Sequence, residues 1–251
     1  VDRARRLQDE ILEHYQQYQF HLIYQKIHNF CSVDLGSLYL DIIKDRQYTT
    51  QRDSLARRSV QTAMHHILEA LTRWLAPILS FTAEEIWRSA PGERGPSVFL
   101  AAWHDGLFAV DDGDPFDAAY WERLIGVREA VSKELEKLRV AGGIGSGLEA
   151  ELDLYCDGEL AADLAKLEDE LRFFLITSYA RLRPLAARPP EAIEIQVNGR
   201  PLALRVLPTA HAKCARCWHY REDVGQHAEH PQLCGRCVEN VVGGGEIRRY
   251  V

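Results

Sequence analysis

The chain has 251 residues, 46% hydrophobic and 27% charged, which is enough apolar material for more than one core. No apolar run approaches the length of a membrane span and no apolar signal segment opens the sequence, so no membrane partner and a cytoplasmic location are expected. Net charge is −7, which at first argues against a polyanionic partner. Residues 111–170, however, carry seventeen acidic and six basic side chains, a local −11 that leaves +4 for the rest. Local field decides where a nucleic acid docks, so an acidic middle leaves both ends available. The single methionine, Met64, is internal and Val1 already lies in a helical pattern, which points to the C-terminal piece of a longer protein.

Residues 1–90 read as helix almost throughout. Leu7, Ile11, Tyr15, Tyr18 and Leu22 recur at steps of three and four, and Val60, Met64, Ile67, Leu71 and Trp74 form a second such stripe. Both read as core. Pro77 breaks or kinks the second helix, and Thr82 with Glu85 three residues on is a capping-box start for a short helix ending before Pro91-Gly92. Long helices with short connections predict an antiparallel bundle over 1–112. Val98-Phe99-Leu100 is strand-like, and Asp114-Pro115 has the pattern of an N-cap and first helical position.

The next helix carries Leu124, Val127, Val131, Leu135 and Leu138 inward and stops at Gly142-Gly143. The period then changes to two: Leu148, Ala150, Leu152, Leu154 and Cys156 alternate with polar residues and Tyr155, a half-buried strand. A helix over about 159–172 leads to a second apolar strand near Phe173–Ala180. Asn198-Gly199, between alternating apolar runs, is a strong hairpin signal. Residues 113–208 are therefore a small α+β domain.

Near the end stand Cys214-Ala-Arg-Cys217 and Cys234-Gly-Arg-Cys237, sixteen residues apart. Each pair wraps one tight turn, and the arm between them is long enough to close a tetrahedron of thiolates around one Zn²⁺. Gly235 suits the sharp bend at the metal. Four thiolates leave no open coordination position, so the zinc is read as structural and residues 209–251 as a C-terminal four-cysteine zinc module. Disulfides are the competing reading and need an oxidising compartment. His211, His219, His227 and His230 crowd the same segment and are expected to be spectators. Cys31 and Cys156 are expected to be buried free thiols.

These residues resemble a known family. Phe30-Cys31-Ser32-Val33-Asp34, Tyr39-Leu40-Asp41-Ile42-Ile43-Lys44-Asp45-Arg46-Gln47-Tyr48 and Leu75-Ala76-Pro77-Ile78-Leu79-Ser80-Phe81-Thr82-Ala83-Glu84-Glu85-Ile86-Trp87 are similar to the anticodon-binding bundle of class I aminoacyl-tRNA synthetases for aliphatic amino acids. Ile144-Gly145-Ser146-Gly147-Leu148-Glu149-Ala150 resembles the strand entry of the junction domain that follows, with Gly147 where the family more often has Ser, a mild change. The four-cysteine tail, with Trp218-His219-Tyr220, resembles the terminal zinc module of bacterial isoleucyl-tRNA synthetases. The resemblance covers essentially the whole chain. It implies binding of the anticodon stem-loop of tRNA(Ile), a monomeric parent enzyme that charges tRNA(Ile) with isoleucine using ATP, and docking on the catalytic domain of the same polypeptide. The His-Ile-Gly-His and Lys-Met-Ser-Lys-Ser signatures and an editing domain are absent from these residues, so the piece alone is expected to bind no ATP and catalyse nothing.

Arg216 and Trp218 flank the first metal turn. An indole there can stack on an unpaired anticodon-loop base, and a guanidinium can meet phosphate or a base edge. Trp218 can equally pack on the small zinc core. Lys44 and Arg46 can meet the tRNA backbone or pair with Asp41 and Asp45. Two other classes remain: a formamidopyrimidine-type DNA glycosylase sharing the zinc module, which needs a Pro-Glu start rather than Val1-Asp2, and a zinc-dependent protein adaptor. A synthetase fragment of valine or leucine type is the nearer alternative.

Overall fold

The computed structural model describes residues 1–111 and 113–251. Its described residues are mainly helical, with a four-stranded and a two-stranded sheet, and it divides into two compact units: Val1–Asp41 with Arg58–Asp112, and Ile42–Arg57 with Gly113–Val251.

The first unit holds α1 (Asp2–Gln16), α2 (Phe20–Asn29), a π-helical stretch (Phe30–Tyr39), the start of α3 (Leu40–Thr49), most of α4 (Leu55–Leu75) and α5 (Ser80–Ser89). Three stripe residues, Ile11, Ile67 and Trp74, are buried together with Ile23 and Phe30, while Leu22 is only half-buried. Trp74 is fully buried, and its indole N–H donates to Gln8 Oε1 at 3.0 Å while Tyr15 Oη donates to its carbonyl at 2.6 Å. The one large polar edge in this core is thus satisfied.

Four expectations fail here for identifiable reasons. Tyr18 is 80% exposed at φ +57°, because α1 ends at Gln16 and Tyr18 forms the reversal into α2. Cys31 is exposed: the π-helical stretch changes the residues per turn and carries it off the α-helical stripe. Thr82 lies inside α5, since the chain turns straight after Pro77, Ile78 N–H bonds the Leu75 carbonyl at 2.9 Å, and the helix restarts at Ser80. Val98–Leu100 is a 3₁₀ turn, its start fixed by Ser97 Oγ accepting from Phe99 N–H at 3.3 Å.

The second unit is built on a four-stranded sheet of β1 (Ala150–Tyr155), β2 (Tyr179–Arg183), β3 (Ile193–Val197) and β4 (Arg200–Pro208), in the order β2-β1-β4-β3. β1 runs parallel to β2 and antiparallel to β4, with Leu152 opposite Val206 and Leu154 opposite Leu204. Asn198 and Gly199, at φ +52° and +75°, make the two-residue turn between β3 and β4 as expected. One face buries Leu152, Leu154, Leu202 and Leu204 against α6 (Ala118–Val140), α7 (Gly158–Ala165) and α8 (Leu171–Leu175). On β1, Glu151 and Asp153 take the alternate positions and pair with Arg181.

α6 begins one turn later than Asp114-Pro115 suggested. Asp114 closes a turn onto Phe116 N–H at 2.7 Å, and Asp117 is the cap, accepting from Tyr120 N–H at 2.7 Å. The single helix expected over 159–172 is two short ones, and Phe173, Phe174 and Leu175 lie in α8, not in a strand. A continuous apolar run reads the same in a buried helix as in a buried strand, and all five residues of α8 are buried. Among the described residues, no helix is long and apolar enough to cross a membrane.

Beyond the sheet, β5 (Ala212–Lys213) pairs with β6 (Tyr220–Arg221), and α9 (Gly235–Val242) follows.

Candidate metal centre and nucleic-acid interface

The β5–β6 hairpin carries Cys214 and Cys217 on its turn, and Cys234 and Cys237 open α9. Their four Sγ atoms all lie within 4.8 Å of one another and all four residues are buried. Cys217 Sγ is 3.7 Å from Cys234 Sγ. A disulfide would need about 2.05 Å, whereas two thiolates of a tetrahedral zinc site stand about 3.8 Å apart. Backbone bonds fix the two turns: Cys214 N–H donates to the His219 carbonyl at 2.9 Å, Trp218 N–H to the Cys214 carbonyl at 3.0 Å, and Cys234 N–H to Cys214 Sγ at 3.4 Å. Gly235 keeps an ordinary φ. Its N–H donates to Asp223 Oδ2 at 2.8 Å, and a Cβ there would stand 2.9 Å from the same oxygen, so a side chain at 235 would push Asp223 aside.

Protonation follows from the crowding. Hydrogen bonds from its three neighbours lower Cys214; Cys217, raised by Cys214 but lowered by Cys234 and Cys237, falls to about 7; Cys234 and Cys237 are pushed up, first by Cys214. Four thiols this close share protons because they cannot all ionise alone. A divalent cation removes that conflict. Among the described residues, Val224 and Leu233 are the apolar side chains packed on the cysteines, so the metal would supply much of the cohesion of these two turns. The donor set therefore fits a closed zinc site.

Trp218 is 61% exposed and sits at φ +67°. It does not fill the zinc core; its ring faces outward, with Lys213 Nζ 5.6 Å from the centroid. Arg216 is half-buried, its Nη1 donating to the Thr49 carbonyl at 2.6 Å and lying 3.8 Å from Cys237 Sγ. A guanidinium there offsets part of the charge of about −2 that a four-thiolate zinc centre carries. Lys44 is exposed on α3, and the Arg46 guanidinium is 3.9 Å from Glu170 Oε2. Of the histidines, His219 is buried against Phe173, and burial, reinforced by Arg172, pushes its pKa down to about 3. His211 stands 3.4 Å from Glu151 Oε1, outside the cysteine group.

Sequence reasoning missed the charged layer behind the cysteines. Asp45 accepts two bonds from Arg236, at 2.7 and 2.8 Å, and one from Arg248 at 2.8 Å. Burial opposes its ionisation, but these guanidiniums hold it far below the ordinary carboxylate range. Glu246 takes the other side of Arg236 at 3.0 Å. Buried ion pairs leave no periodicity, and the only hint was an excess of arginines near the zinc pairs.

Comparison with known proteins fits this arrangement. The profile described as "Anticodon-binding domain of tRNA ligase" matches residues 1–154. The chain belongs to this family. A second profile, "Zinc finger found in FPG and IleRS", matches residues 213–240. The chain is 59% identical over 251 residues to the isoleucine–tRNA ligase of Thioalkalivibrio sulfidiphilus and 58% identical over 250 residues to that of Nitrosococcus oceani, covering 100% of itself in both. It is 58% identical over 250 residues to the same enzyme from Ectopseudomonas mendocina. The chain spans only 26–27% of the length of these relatives. The anticodon-binding domain assignment also removes the DNA glycosylase reading, which shared the zinc module alone.

Proposed function

We propose that this chain is the anticodon-stem-loop-binding part of an isoleucine–tRNA ligase, a monomeric cytoplasmic enzyme that charges tRNA(Ile) with isoleucine using ATP bound elsewhere in the polypeptide. Residues 1–112 serve as the helical anticodon-binding domain, 113–208 as the junction domain, and 209–251 as the zinc module. Cys214, Cys217, Cys234 and Cys237 hold one Zn²⁺, which supplies a rigid cross-link between two turns and no reaction chemistry.

The observation that carries this reading is the outward indole of Trp218 on a turn fixed by the four cysteines, in a chain of the anticodon-binding family. Unpaired loop bases offer flat faces, and stacking on an aromatic contributes about 1–3 kcal/mol per base. Lys44 is the backbone contact on α3. Arg216 and Arg46, both half-buried, offer less of their side chains and take the smaller share of RNA contact.

Filter binding of tRNA(Ile) against a non-cognate tRNA tests it, with zinc content measured in parallel. Trp218→Ala is expected to weaken cognate binding roughly ten- to hundredfold without releasing zinc. Lys44→Ala is expected to lower the salt dependence by about one ion and leave base preference alone. Unchanged cognate binding by zinc-loaded Trp218→Ala would remove the zinc turn as a reader.

A further inference from the structure

Residues 246–251 leave α9 through Gly243-Gly244-Gly245 and cross the second unit without joining a helix or strand. Their side chains are nonetheless sorted between solvent and protein, with Tyr250 half-buried. Ile247 is 80% exposed and Arg249 is exposed, whereas Arg248 is 7% exposed and Val251 is buried. Arg248 enters a pocket with two acidic walls and an aromatic floor. Its Nη1 donates to Asp45 Oδ1 at 2.8 Å, its Nε to Glu170 Oε2 at 3.3 Å, and its guanidinium carbon lies 3.5 Å from the Phe173 ring centroid. Arg172 and Arg236 sit 3.8 and 4.9 Å from the same centroid, so three guanidiniums lie over the one ring. Glu170 also accepts the backbone N–H groups of Arg249, Tyr250 and Val251, at 2.6, 3.0 and 2.7 Å. The Tyr250 ring rests 5.4 Å from that of Phe116.

This is how a peptide is bound, with one side chain inserted in a pocket and successive main-chain N–H groups captured by one carboxylate. We propose that Asp45, Glu170 and Phe173 form a peptide-binding pocket specific for arginine, and that residues 246–251 are its built-in ligand. The bound tail fixes the four-cysteine module, because Asp45 also holds Arg236, the neighbour of Cys237. A pocket vacated by its own arginine would accept an arginine-bearing peptide supplied from outside. The inference does not depend on RNA binding.

The test uses the full chain and a fluorescent peptide of sequence Glu-Ile-Arg-Arg-Tyr-Val. Arg248→Gln, whose tail has lost its anchor, is expected to bind the peptide at least tenfold tighter than the unsubstituted chain, where the pocket is filled. Adding Glu170→Gln to Arg248→Gln should abolish that gain, as should glutamine at the third position of the peptide. Equal binding by all chains, or equal binding of both peptides, overturns the proposal. Arg248→Gln removes a buried charge partner and can cost folding, so Glu170→Gln alone gives a second reading by hydrogen exchange. The amides of residues 249–251 should then exchange at least tenfold faster while those of α9 keep their protection. Unchanged exchange at 249–251 overturns the proposal as well.

Discussion

Glu69 shows what a single carboxylate does in the first unit. It accepts from Arg73 at 2.7 Å and from Arg94, and both guanidiniums lie over the Trp87 ring, at 4.9 and 4.8 Å from its centroid. Burial penalises its charge, yet the hydrogen bonds of Arg94 and Arg73 outweigh that and hold its pKa at about 2, below the ordinary 4.5. A lowered carboxylate pKa means that the unfolded chain binds the proton more readily. The stabilisation is therefore complete above pH about 4.5 and is lost as pH falls towards 2, amounting to roughly 2–3 kcal/mol. Thermal melts of the helical signal should show that loss between those limits, and Glu69→Gln should flatten it while lowering stability at neutral pH. A pH profile identical in the variant would assign the acid lability elsewhere.

At the scale of elements, the entry to β1 shows a constraint that no motif carries. Gly147 keeps an ordinary φ, but a Cβ on it would stand 2.7 Å from the Ile176 carbonyl oxygen. Ile176 ends α8 at φ +54°, a costly conformation for a β-branched residue. The backbone of α8 thus presses directly on the strand entry, and a side chain at 147 is not the mild change that motif comparison suggested. Gly147→Ala is expected to destabilise the second unit by about 1–3 kcal/mol, read as a lower urea midpoint. Wild-type stability in this variant would show that α8 yields at no cost. The same elements separate what the sequence discloses from what it hides. Asn198-Gly199 and the alternation of β1 were legible because a two-residue turn and a half-buried strand each impose a local pattern. The identity of α8 and the start of α6 were not, because a fully buried apolar run has no polar face and two aspartates stood ready to cap. That the four cysteines come together was legible from spacing alone. Asp45 and Glu170, which organise the layer behind them, were hidden because their partners lie up to 203 residues away.

On the scale of the molecule, both units have a buried apolar core, the second around Leu152 and Leu154, and the four-cysteine module draws its stability from another source. The first has its own buried core around Trp74. Around the four cysteines themselves, Val224 and Leu233 are the packed apolar neighbours among the described residues. Stripping zinc with a strong chelator under reducing conditions should therefore unfold 209–251 and leave the bundle's helical melt in place. Mass-resolved hydrogen exchange separates the regions. Retained protection at Cys214–Cys237 after complete metal removal would show that the charged layer, not the metal, carries the fold of this module.

The backbone at Trp218 carries a cost of its own. A bulky residue held at φ +67° gives up about 1–2 kcal/mol relative to glycine at the same place. Backbone strain alone favours glycine at 218, so on the proposed stacking role tryptophan there trades durability for contact. Trp218→Gly should accordingly melt higher than Trp218→Ala while binding RNA no better. Thermostability screens run without an RNA-binding assay would then enrich substitutions that erase the surface they were meant to preserve.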